Sequence, residues 1–155
     1  MIVNNKIEIQ FPDTLSIMDE EKRKQMNFLA DGEGYCLENK EKHILISIGW
    51  RKIGLFAKTV LNINDLSKGL EKNIRNGMQP FSYTKENDLE MSLDGEVMRG
   101  IRYTYIASNI DMVAESYVVK HGKEIYYFHY YSRKTLNSEN KKTWSDILQS
   151  AKWIR

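Results

Sequence analysis

The chain has 155 residues, 41% of them hydrophobic and 11% aromatic, and a formal charge of +2 at pH 7. That composition excludes a disordered polymer, and one domain of this length can bury a substantial core. The charge is too small to demand nucleic acid or an anionic surface as partner. A single cysteine, Cys36, excludes an internal disulfide and suits a reducing compartment. No apolar run approaches spanning length and no basic-then-apolar leader is present, so a soluble, cytoplasmic protein without membrane insertion is expected.

Lys6 to Phe11 alternates Ile7, Ile9 and Phe11 with polar residues, a strand ended by Pro12. Ser16 followed by Asp19 resembles a capping box, so a charged helix is predicted from about Ile17 to Leu29. Asp31, Gly32, Glu33 and Gly34 read as a loop. Tyr35–Glu38 and His43–Arg51 form a hairpin around Asn39 to Lys42, with Ile44, Ile46, Ile48 and Trp50 on one face. Gly49 and Gly54 suggest a bulge or bend. A helix opens at Asn64, with Leu66, Leu70 and Ile74 along one side and Gly77 as its stop.

Phe81–Lys85 and Leu89–Leu93 are strand material, and Asp94-Gly95 is a hairpin signal. It leads into three strands, Val97–Ala107, Met112–Lys120 and Ile125–Ser132, which hold seven of the nine tyrosines. The third is apolar or aromatic on both faces and is placed centrally in the sheet. A final helix is predicted over about Ser138 to Trp153. Trp144, Ile147, Leu148 and Ala151 point inward, and Lys141, Lys142, Ser145 and Lys152 outward. One domain, 1–155, is expected: an antiparallel α+β sheet flanked by helices.

Reactive constellations are sparse. His43, His121 and His129 lie on different elements, and none has a metal-ligand spacing, so no metal and no cofactor is implied. Cys36 and His43 would need one shared face and a third orienting group to act as nucleophile and base; none is identifiable, and Cys36 reads as a small buried hydrophobe. Gly32 and Gly34 begin like a dinucleotide fingerprint, but Leu37 takes the third glycine's place. Arg99-Gly-Ile-Arg-Tyr103 is similar to an RNA-recognition strand, with Ile101 in place of the first aromatic. The other reading of Gly100 is a close neighbour or a bend.

The order of elements is itself informative. A strand ends in Phe11-Pro12, a hairpin leads into a helix at Asn64, a glycine-bearing strand from Arg99 to Tyr105 opens a meander, and the last helix reads Trp144-Ser-Asp-Ile-Leu-Gln-Ser-Ala. This resembles the PsbP-like superfamily, including Mog and bacterial DcrB-type domains. The resemblance implies an α/β/α sandwich and non-enzymatic binding. Photosystem members carry lumenal targeting and DcrB-type lipoproteins an N-terminal lipid-bearing cysteine; neither is expected here. Cytosolic bacterial relatives that chaperone secreted effectors are the nearest in localisation. No site residue transfers.

The function expected is a non-enzymatic, cytoplasmic protein-binding module, an adaptor or chaperone-like protein. Tyr103, Tyr127, His129 and Tyr131 are the expected protein contacts, with Trp50 a second point. They belong to the core instead if helices cover that face. Two alternatives remain open. One is a small-molecule or lipid pocket between sheet and helix. The other is single-stranded nucleic-acid binding through Arg99, Arg102 and the tyrosines, favoured by a charge of +5 over residues 97–155 against −3 over 1–96.

Overall fold

Long alternating segments pair into a sheet because each has one face to bury. The computed structural model describes residues 1–26 and 33–155. Within them β3 (Ser16–Ile17), β4 (Glu33–Asn39), β5 (Ile44–Lys52), β6 (Thr84–Leu93), β7 (Glu96–Ala107), β8 (Ile110–His121) and β9 (Glu124–Arg133) form one sheet, ordered β3-β4-β5-β9-β8-β7-β6. Every neighbouring pair is antiparallel. β9 is central, as its two apolar faces require. A small sheet of β1 (Ile2–Val3), β2 (Ile7–Glu8) and β10 (Lys152–Trp153) joins the two ends of the chain.

Helices cover both faces, giving the expected α+β sandwich. On one, α4 (Asn137–Ser150) lays Trp144, Ile147 and Leu148 on Ile46, Ile48, Phe128 and Tyr130. On the other, α3 (Ile63–Met78) sets Leu66 and Leu70 against Val118 and Ile125, while Ile74 and Met78 reach Ile101, Tyr103 and Ala114. Two short helices, α1 (Glu20–Gln25) and α2 (Leu55–Val60), complete the chain.

Local chemistry sets the joints. Asp94 and Gly95 both take positive φ, 45° and 92°, which matches the twist of the β6–β7 hairpin. Gly100 faces a different constraint: a Cβ there would lie 1.9 Å from the Ser116 carbonyl oxygen. The close neighbour anticipated from the sequence is therefore the backbone of β8.

Several boundaries differ from expectation. Ser16 is no helix cap but part of β3, paired with Glu38, and Asp19 caps α1 by accepting from the Lys22 amide at 2.8 Å. Leu29, Asp31 and Gly32 lie outside the described residues, whereas Glu33 and Gly34 open β4. Asn62, not Asn64, caps α3, accepting from the Asp65 amide at 3.0 Å. Gly77 does not stop α3, which runs to Met78. The ladder is regular at Gly49; the bulge falls in β6, between Lys85 and Asn87. α4 ends at Ser150 because Ala151 turns extended.

Two glycines give opposite outcomes. Gly100→Ala should cost at least about 3 kcal/mol, because backbone must move. Gly69→Ala, with nothing within 4 Å of a new Cβ, should stabilise α3 by about 1 kcal/mol and raise Tm by roughly 2–4 °C. Thermal melts of the two variants check both signs.

Candidate functional site

The α3-side face carries an uncommon row. Strand register aligns Cys36 with Ser47, Ser47 with His129 and His129 with Ser116, four polar or sulfur side chains across four strands. The His129 Nδ1 and the Ser116 hydroxyl share a hydrogen bond of 2.7 Å. The Ser47 Oγ is buried without a partner. Along β9, Tyr127, His129 and Tyr131 form near-parallel rungs, with centroids 6.5 and 6.2 Å apart. The Arg51 guanidinium lies 5.8 Å from the Tyr127 ring centre.

Burial decides what this row can do. It lowers the His129 pKa to about 4, so the imidazole is neutral at pH 7. Burial also pushes the Cys36 thiol up, the reverse of what a nucleophilic thiolate needs. The row brings His129 next to hydroxyls, and among the described residues no carboxylate is hydrogen-bonded to its ring. His43 is exposed in the β4–β5 turn at φ 47°, so it is no base for the buried Cys36. Among the described residues, no group of three His, Cys, Asp or Glu side chains could hold a metal ion.

The five expected contact residues do not make one surface. Tyr103 is 1% exposed, in the core beneath α3. Trp50 is buried on the opposite face, where its Nε1 donates to Glu33 at 3.0 Å. Tyr127, His129 and Tyr131 are half-buried. The residues of the RNA-type strand are engaged within the protein: Arg99 pairs with Glu90 at 2.7 Å, Arg102 with Glu86 at 2.7 Å and Glu115 at 3.0 Å, and Tyr103 is buried.

Two features escaped the sequence reading. One is an open groove of about 680 Å³ between α4 and residues 10–14. Phe11, Pro12 and Ile147 give it apolar lining, and Lys42, Lys142 and Asp146 line it with charge of both signs. The Ser150 hydroxyl clamps one end: it donates to the Gln10 carbonyl at 3.0 Å and accepts from the Gln10 amide at 2.9 Å. The other is α2, whose Leu55 and Phe56 are 70% and 84% exposed. A second cleft, between α3 and the β6–β7 edge, is crossed by Lys85 bonded to Glu71 at 3.0 Å and Asp88 at 2.7 Å.

No protein-family model matches the sequence, and no curated protein matches it. Solved structures do. The solution structure of cyanobacterial PsbP (CyanoP) from Synechocystis sp. PCC 6803 superposes with a TM-score of 0.70 at 12% identity, over 96% of this chain and 86% of that one. LpqN, involved in cell envelope biogenesis of Mycobacterium tuberculosis, gives 0.67 at 10% identity, over 96% and 83%. The Pseudomonas aeruginosa protein PA94 gives 0.58 at 8%, over 93% and 94%. The fold is therefore PsbP-like, as the order of elements implied. At these identities the likeness extends to fold alone.

His129 makes stability depend on pH. Its folded pKa of about 4 lies below the ordinary 6.5, so the unfolded chain binds the proton between those values. The associated stability is complete above about pH 6.5 and falls as pH drops toward 4, by about 1–3 kcal/mol for a half-buried ring. Urea unfolding at pH 7.5 and pH 5 should show this loss in the wild type and a smaller one in His129→Gln.

Proposed function

We propose that this chain is a non-enzymatic protein-binding domain that receives an extended segment of a partner protein in the groove beside α4. The observation that carries the reading is the groove itself: open, with apolar lining and charges of both signs around it. Extended segments seat alternate side chains in such lining and leave the others to the rim. A volume near 680 Å³ also falls in the range of small-molecule sites. Its open walls suit a peptide better than a compact ligand, which needs enclosure on most sides.

Support for a non-enzymatic role is chemical. The imidazole best placed to act, His129, is held neutral by burial and bonded to a serine hydroxyl. A general base needs a pKa near the working pH and reach to a substrate proton. The cytoplasm remains our proposed location, for which the buried free thiol of Cys36 is the support. No helix among the described residues is long and apolar enough to cross a membrane.

Thr143 lines the groove and is half-buried, so Thr143→Arg should fill the groove while leaving the core intact. A displayed library of random peptides selected on the wild type should yield binders that lose at least about tenfold in affinity for this variant, or 1.4 kcal/mol, with Tm unchanged. Binders indifferent to Thr143→Arg would place the contact elsewhere and refute the groove.

A further inference from the structure

α2 and its surroundings form a second surface, at the other end of β5 from the groove. Lys42, beside the groove, lies in the turn before β5; Arg51 and Lys52 end the strand, and α2 follows. Leu55, Phe56 and Val60 stand 70%, 84% and 60% exposed on this six-residue helix. Apolar side chains so far out of the protein, and so close together, mark a contact surface.

The charge around them is predominantly basic. Residues 51–61 hold Arg51, Lys52 and Lys58 and no acid. The β8–β9 turn packs alongside, its Lys123 carbonyl accepting from the Ile53 amide at 2.8 Å. It adds Lys120 and Lys123 against Glu124, which accepts from the Tyr126 hydroxyl at 2.8 Å.

Side chains also satisfy part of the backbone at the C-terminal end of α2. Lys120 donates to the carbonyls of Lys58 and, at 2.7 Å, Leu61, and the Thr59 hydroxyl donates to the Phe56 carbonyl at 2.8 Å. The Lys58 carbonyl is one that a short helix otherwise leaves to solvent, and leaving it unpaired in an apolar medium is costly.

We propose that this end of the molecule docks on an anionic lipid membrane. Phe56, Leu55 and Val60 enter the boundary between headgroups and acyl chains, and Arg51, Lys52, Lys58 and Lys123 meet the lipid phosphates. The contact is peripheral and spans nothing. A protruding apolar knob with a basic surround matches a soft anionic surface; a protein partner would have to supply a matching pocket.

The test is co-sedimentation of the full chain with vesicles of phosphatidylcholine containing about one-third phosphatidylglycerol, and with phosphatidylcholine alone. Binding to the mixed vesicles is expected, weakened at least about tenfold on neutral ones and further by high salt. Phe56→Glu should lower affinity about tenfold or more. Lys123→Glu, outside α2 and with that helix intact, should lower it roughly fivefold. Circular dichroism checks that each variant is folded. No binding to the mixed vesicles at low salt would overturn the proposal. So would equal binding by folded Phe56→Glu and Lys123→Glu, or binding to soluble polyglutamate in place of vesicles, which would identify an acidic polypeptide as the occupant.

Discussion

Glu115 lies in β8 with its side chain buried under α4, on the same face as Val113, Tyr117 and Val119. Moving a carboxylate into such a place costs several kcal/mol unless donors surround it. Here they do. Arg102 reaches it from β7 at 3.0 Å, the Trp144 Nε1 from α4 at 2.9 Å, and the Lys141 ammonium from one turn earlier on the same helix. The Tyr117 hydroxyl adds a longer contact at 3.5 Å, and burial beside this carboxylate pushes its phenol up. Two cations and an indole aimed at one acid specify how α4 is rotated. Apolar packing alone would leave neighbouring rotations closer in energy. With the rotation set, Trp144 lies parallel to Tyr130, their centroids 5.5 Å apart, and Thr143 and Ile147 face residues 10–14. The groove is a consequence of where this carboxylate sits.

Much of the sheet was legible because alternation is a strong signal. The face assigned to β5 and the central place of β9 are the observed ones, and Asp94-Gly95 made the predicted hairpin. What failed was short or tertiary. Ser16–Ile17 carries no strand pattern; it pairs because β4 offers it an edge. The Leu55–Val60 helix has no side-chain cap and only six residues, too few for a period to register. Lys141 was expected outward because nothing in the helical pattern announces a buried acid across the interface. The signal existed in β8, where alternation puts Glu115 among apolar residues. An acid in that position asks for cations, and Arg102 and Lys141 are the answer.

The C-terminal end teaches the same lesson. The predicted helix runs to about Trp153, yet that residue leaves it for β10. It lies flat on His121 at 3.8 Å and 7°, its Nε1 donates to the Leu93 carbonyl at 3.2 Å, and its amide donates to Asp94 at 3.0 Å. His121 also pairs with Glu96 at 2.9 Å. A residue that reads as a plain turn histidine is the platform that closes the small sheet. The aromatic excess of the sequence was visible, but its use was not. Tyr103, Tyr126 and Tyr130 serve the core, while the rungs Tyr127, His129 and Tyr131 keep partial access to solvent, as do Tyr83 and Tyr105.

The sheet's free edge helps to explain where binding can occur. β6 carries Lys85, Glu86, Asp88 and Glu90 and is interrupted by a bulge, both of which discourage another strand from pairing there. The two proposed contacts lie instead at the ends of β5. β5 spans them with nine residues, about 30 Å when extended, and its ladders to β4 and β9 run without a break. A rigid strand with a groove beside one end and a basic, apolar knob at the other holds two contacts apart. Neither contact needs the sheet to bend, so occupancy of one leaves the geometry of the other unchanged. If both proposed contacts are made, such a molecule would act as a spacer, and any coupling between its two ends would come through a shared partner and not through the fold.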